Sequence, residues 1–195
     1  MKMSFIYMAS GFGSRFGSNK LLADLKGRKL YCYGLECLCQ AAGALEEDGH
    51  DIEILVVSQY ETILNQALRQ GLRAIPNDFS AEGITASLRL GTAAAGEGTG
   101  CYLFFVADQP YMKSSTLTGF IRDFLESGHG IGCVCHDGKK GNPAVFLGRY
   151  REELMALTGD RGGSVIMRTH PEDVWTMEAA AEELRDIDRE ADLEK

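Results

Sequence analysis

The chain has 195 residues, 45% of them hydrophobic and 25% charged, which suits one ordinary globular domain with a sizeable core. Its net charge is −8, of which residues 178–195 supply −5, so it has no basic stripe to neutralise a nucleic-acid backbone and would be repelled by an anionic membrane. No apolar run approaches the roughly 18 residues of a membrane span and no signal peptide is visible, so a single cytoplasmic domain over residues 1–195, binding neither nucleic acid nor membrane, is expected.

In chain order, short apolar runs alternate with longer segments of helical periodicity. "MSFIYM" (3–8) reads as a buried strand and is followed by a glycine-rich stretch, a helix in "LYCYGLECLCQAAGAL" (30–45) and a strand in "IEILVV" (52–57). A helix in "SQYETILNQALRQ" (58–70), a short strand in "LRAIP" (72–76) and a helix in "TASLRLGTAAA" (85–95) come next. "CYLFFVAD" (101–108) is a strand, and "SSTLTGFIRDFLESG" (114–128) a helix with Ser114 or Ser115 as its cap. "GIGCVC" (130–135) and a late "DVWTM" (173–177), where Trp175 serves packing, are further strands. The alternation implies an α/β fold with a mostly parallel sheet covered on both faces. In such folds ligands bind outside the carboxyl ends of the strands, so the loops after Met8, Pro76 and Ala107 should share one crevice. Cysteines 32, 37, 39, 101, 133 and 135 sit mostly in apolar segments, as reduced core thiols do, and their C-x-C pairs are too short for zinc.

The stretch after the first strand carries glycines at 11, 13 and 17, a G-x-G-x-x-x-G one residue longer than the dinucleotide fingerprint. Lys20 follows Asn19 rather than a glycine, so the Walker pattern fails as well. What remains is a loop whose backbone N–H groups wrap a polyphosphate, with Arg15 forking onto outer oxygens and Lys20 on an inner one. A glycine-rich turn with solvated charges is the alternative. Asp108 ends a buried strand beside this cradle, where a carboxylate stays charged by meeting a cation, most simply Mg²⁺. A turn-capping role ahead of Pro110 is its alternative. The four histidines lie in loops or at segment ends and receive no function.

"MASGFGSRFGSNKLL", "IPNDFSAEGITASLRLG", "VADQP", "GNPAVF", "TGDRGG" and "LRDIDREADL" follow one another along nearly the whole chain. Together they resemble the MobA-like nucleotidyltransferases, in particular the molybdenum cofactor cytidylyltransferase branch. The resemblance implies a three-layer, Rossmann-like nucleotidyltransferase fold. It also implies a reaction in which the terminal phosphate of a molybdopterin-type cofactor attacks the α-phosphorus of a nucleoside triphosphate and releases pyrophosphate. By the same resemblance Arg15 holds the leaving pyrophosphate, Lys20 stabilises the α-phosphate, and Asp108 and Asp188, rather than Asp186, share Mg²⁺.

Ala9, Ser10, Gly11 and Gly13 at the start of the cradle, with Asn77, Gly83 and Ser87, are expected to read the base. Asn142 and Asp160 are expected in the loops that meet the second substrate. The family's cytidine branch has alanine and its guanine branch glycine where this chain has Ser10, whose Cβ favours CTP over GTP. Asn142 stands for a histidine and Arg189 for a threonine. Two other readings remain open: a non-enzymatic accessory protein that delivers the cofactor to an apoenzyme such as a molybdenum hydroxylase, and a transferase for another phosphorylated acceptor, such as a sugar phosphate.

Overall fold

The computed structural model describes residues 1–11, 16 and 19–193. In chain order its elements are β1 (Lys2–Met8), a small hairpin of β2 (Asp24–Leu25) and β3 (Arg28–Lys29), α1 (Leu30–Glu47), β4 (Asp51–Ser58), α2 (Glu61–Arg69), β5 (Arg73–Pro76) and α3 (Ile84–Ala95). They continue with β6 (Cys101–Val106), α4 (Ser114–Ser127), β7 (Ile131–His136), β8 (Lys139–Leu147), α5 (Arg151–Met155), α6 (Ser164–Thr169) and β9 (Val174–Glu178). Seven strands form one sheet in the order β5-β4-β1-β6-β8-β7-β9, parallel except for β8, which runs antiparallel to β6 and β7.

Each strand of the sheet's centre reads as a continuous apolar run because both of its faces are covered. Phe5, Tyr7, Leu103 and Phe105 point to one side, against Leu35 and Leu38 of α1, Ile63 of α2 and Phe120 and Phe124 of α4. Ile6, Met8, Tyr102 and Phe104 point to the other, against Leu88 of α3, Leu154 of α5 and Ile166 and Met167 of α6. Trp175 of β9 stacks on Phe120, with ring centroids 5.9 Å apart.

Two local expectations are corrected. The "GNPAVF" segment is not a loop but lies inside β8, because Asp137 (φ 49°) and Gly138 (φ 75°) both take the left-handed backbone of a two-residue hairpin turn and send the chain straight back along β7. Neither Ser114 nor Ser115 caps α4. The cap is Lys113, whose backbone N–H donates to the buried carboxylate of Glu183 (3.0 Å), so a tertiary partner displaces the local one.

The order of the strands opens the site. From β1 the chain winds outward through β4 to β5, then crosses back over the sheet along α3 to reach β6 on the opposite side of β1. Met8 and Val106 pair at the carboxyl ends of β1 and β6, where this reversal leaves a crevice.

Candidate active site

At the floor of the crevice a single ammonium joins two carboxylates. Asn19 Oδ1 accepts from the Leu21 N–H (3.1 Å) and starts a single 3₁₀ turn, Lys20–Leu22, in which Leu21 is buried in the core. That anchor buries the stem of Lys20, whose Nζ donates to Asp108 Oδ2 at 2.8 Å and to Asp188 Oδ1 at 3.2 Å. Burial works against the ammonium, but the attraction of Asp108 and Asp188 outweighs it and holds the Lys20 pKa above its ordinary value.

Asp188 reaches the site on a strap, residues 179–193, laid across the sheet's carboxyl end. The Ala179 N–H donates to the Cys135 carbonyl (2.9 Å), and the fully buried Ile187 donates its N–H to the Asp108 carbonyl (2.9 Å). Gln109 Nε2 donates to the Leu184 carbonyl (3.3 Å) and to Asp186 Oδ1 (2.9 Å), while the Arg185 guanidinium lies 4.3 Å over the ring of Tyr111. Asp186 therefore turns toward Gln109 and Asp188 toward Lys20. Burial pushes the Asp186 carboxyl pKa up, and the neighbouring Asp108 adds to the rise. Two carboxylate oxygens from residues 80 positions apart, converging on one cation, form a hard donor pair that suits Mg²⁺ or Mn²⁺.

The cavity above this pair, about 280 Å³, is lined by Met8, Ser10, Gly11, Lys20, Gly83, Ser87, Asp108 and Asp160 among others. Ser10 is tied to β4: its Oγ donates to the Val57 carbonyl (3.2 Å), and its own carbonyl accepts from Gln59 Nε2 (2.6 Å). The Tyr60 hydroxyl donates to the Gly11 carbonyl (2.8 Å). On the opposite wall Asp160 Oδ1 accepts from the Ile84 N–H (2.9 Å) at the first turn of α3, and the Gly162 N–H donates to Thr85 Oγ1 (3.2 Å). Gly83 has φ +82°, and a Cβ built there would stand 1.9 Å from Asp160 Oδ1, so only glycine fits between α3 and this loop.

A second cavity shares Met8 and Ile84 with the first. Its walls include Leu88, Phe104, Phe146 and Met167, and the exposed Lys140 and Arg161 stand on it beside Asn142.

With this geometry in place the comparisons are informative. A model of the MobA-like NTP transferase domain matches residues 5–174. The chain belongs to that family. Rv0371c of Mycobacterium tuberculosis is 20% identical with a TM-score of 0.76 over 98% of this chain and 95% of its own. It is also known as a complex with manganese, at TM-score 0.69 and 18% identity over 92% and 89% of the two chains. A nucleotidyl transferase from Methanothermobacter has a TM-score of 0.77 at 20% identity, covering 97% and 93%. Molybdopterin-guanine dinucleotide biosynthesis protein A from Archaeoglobus fulgidus has a TM-score of 0.70 at 16% identity, covering 100% and 95%. No curated protein matches the sequence.

In this MobA-like domain the expected residues fall into three groups. Ser10, Gly11, Lys20, Gly83, Ser87, Asp108 and Asp160 meet at the first cavity, with Asp188 joined to it through Lys20. Others stand back from it. Ala9 lies in the core, its N–H on the Val57 carbonyl (2.8 Å) and its carbonyl on Ser58 Oγ (2.7 Å). Asn77 is buried and donates through Nδ2 to Ser87 Oγ (3.1 Å), which orients that hydroxyl, and Asn142 belongs to the second cavity. Gly13 and Arg15 lie outside the described residues.

Sequence reasoning missed Gln59, Tyr60, Gln109 and Glu183. Gln109 stands inside the "VADQP" motif, which was a signal, whereas Glu183 is one acid among many in an acidic tail. Among the described residues no helix is long and apolar enough to cross a membrane.

Proposed function

We propose that this MobA-like domain transfers CMP from CTP to the terminal phosphate of a molybdopterin-type acceptor in the cytoplasm, in the service of an enzyme such as a molybdenum hydroxylase. An acceptor phosphate oxygen forms a bond to the α-phosphorus, the α–β phosphoanhydride bond breaks, and pyrophosphate leaves. The observation that carries this reading is the Lys20 ammonium shared by Asp108 and Asp188 at the floor of a cavity that Ser10 and Gly11 also line. Phosphoryl-type transfer asks a protein chiefly for positioning and charge, and those are what this floor offers.

In this reading Asp108 and Asp188 hold Mg²⁺, which when bound neutralises charge on the polyphosphate. Lys20 bears on the α-phosphate from the cavity floor, and Arg15, on the cradle, holds the β- and γ-phosphates. Ser10 and Gly11 meet the base with carbonyls already tied by Gln59 and Tyr60, so the edge they present is rigid. Ser87, oriented by Asn77, faces them across the cavity.

In the second cavity Leu88, Phe104, Phe146 and Met167 suit the face of a flat ring such as a pterin, Asn142 and Ser164 offer hydrogen-bond partners to its polar edge, and Lys140 and Arg161 attract a phosphate. Pyrophosphate release with each of the four nucleoside triphosphates, with and without molybdopterin, tests the proposal. Release is expected with CTP and only when the acceptor is present. Release with a sugar phosphate in place of the pterin overturns the acceptor assignment, and no release under any condition overturns the transferase reading.

A further inference from the structure

The same two carboxylate oxygens cannot serve Lys20 and a divalent ion in full at once. We infer that Lys20 is a cation placeholder whose ammonium competes with the divalent ion for Asp108 and Asp188, and that entry of the metal hands the ammonium over to the nucleotide's phosphates. This rests on the nucleotidyl-transfer reading of the site and adds to it an order of events.

The argument is geometric. Nζ lies 2.8 Å from Asp108 Oδ2 and 3.2 Å from Asp188 Oδ1, so it fills the space between the two carboxylates where an ion bridging them would sit. A small dication takes carboxylate oxygens at about 2.0–2.1 Å, which brings it into the space the ammonium fills and sets two positive charges against each other. The Lys20 side chain is only 9% exposed, and the open space beside it is the cavity it lines. The cavity that Lys20 itself lines, with Ser10 and Gly11 also in its wall, is where the nucleotidyl-transfer reading seats the phosphates.

Release of Lys20 by the metal supplies the phosphates with a cation, and capture of Lys20 by the phosphates clears the carboxylates for the metal. Each ligand thus favours the other through one side chain, and the coupling is reciprocal.

Two measurements that do not depend on turnover test this. The first is Mn²⁺ affinity without nucleotide, read from the free-ion electron paramagnetic resonance signal, for the wild-type chain and for Lys20→Met, which keeps the stem and removes the charge. Tighter binding by the variant is expected, within the roughly 5- to 150-fold range usual for coupled sites. Equal or weaker binding overturns the proposal. The second is a crystal structure of the wild-type chain with Mn²⁺, located by anomalous scattering, which keeps the proposal testable if Lys20→Met does not fold. The ion is expected on Asp108 and Asp188 with Nζ withdrawn from hydrogen-bond distance of at least one of them. An ion there with Nζ still bonded to both, or an ion elsewhere, overturns it. Failure of nucleotidyl transfer in the pyrophosphate assay leaves both readouts intact, so the two ideas fail separately.

Discussion

Two carboxylate clusters stand at opposite ends of the sheet and are built on opposite principles. At the amino ends of β7 and β9, Asp173 alone receives the Gly130 N–H (2.8 Å), the Arg149 guanidinium and the Tyr150 hydroxyl. Burial acts against its charge, but those three donors overcome it and hold the carboxyl pKa down at about 2. At the carboxyl ends of β1 and β6 the ratio is inverted. Asp108 and Asp188 share one ammonium, and burial, with the neighbouring Asp108 adding to it, pushes the Asp186 carboxyl up. A structural cluster surrounds one acid with donors until nothing is left to bind. The crevice does the reverse: among the described residues there, acids outnumber cations, and in the proposed reaction that surplus charge would hold a divalent ion, through which a polyphosphate would bind.

The largest expected effect comes from removing that surplus. Asp108→Asn and Asp188→Asn keep shape and hydrogen bonding, and each should lower Mg²⁺-supported turnover on the order of 100- to 1000-fold, the scale lost with a single electrostatic stabiliser. Thermal melts should show both variants folded. Full activity in both would end the metal-dependent transferase reading, whereas an active Asp188→Asn beside a dead Asp186→Asn would move the second ligand by two residues.

Lys20→Ala comes next. A contact made chiefly in the transition state lowers kcat more than nucleotide affinity, whereas Arg15→Ala should also weaken nucleotide binding. Steady-state kinetics that show Lys20→Ala acting on KM alone would show its role to be misassigned.

Gly83→Ala tests the wall rather than the charges. Both the left-handed backbone and the contact with Asp160 oppose a methyl group, so a stability loss of about 2 kcal/mol and a displaced 159–163 loop are expected from denaturant titration and hydrogen exchange. An unchanged midpoint would mean that Asp160 leaves α3 without cost.

For the contrasting cluster, Asp173→Asn should cost about 1 kcal/mol at neutral pH, after allowance for solvent screening of a partly exposed pair, and leave turnover unchanged. The sign follows from the lowered pKa. The stabilisation is complete well above the ordinary carboxylate value of 3.8 and is lost as pH falls through about 2, so wild type and variant should converge in acid unfolding below that pH. A difference that persists well below the folded value would assign the effect to shape rather than charge. The smallest effect is the preference for CTP over GTP in Mg²⁺-dependent calorimetry, which rests on the Cβ of Ser10, and equal binding would remove the basis for the cytidine assignment.

Much of this molecule is legible in the sequence because it is written in local periods. The apolar runs of β1, β4 and β6 and the helical spacing of α1 and α4 each report their conformation through neighbours a few positions away. Asp108 is legible for the same reason, as an acid that ends a buried strand. The return of β8 was also legible, since Asp137-Gly138 between apolar runs is a hairpin signal, but the loop reading of "GNPAVF" passed over it.

Tertiary structure alone decided the rest. It seats Asp188 on a lysine 168 residues away, ties the N–H of Lys113 at the start of α4 to Glu183, and sets Asp160 on the first turn of α3 across the crevice. None of these pairings has a period. Burial of Ile187 and the closing of backbone hydrogen bonds bring the strap and its Asp188 to this end of the sheet, and a residue's immediate neighbours carry no record of which distant partner will meet it there.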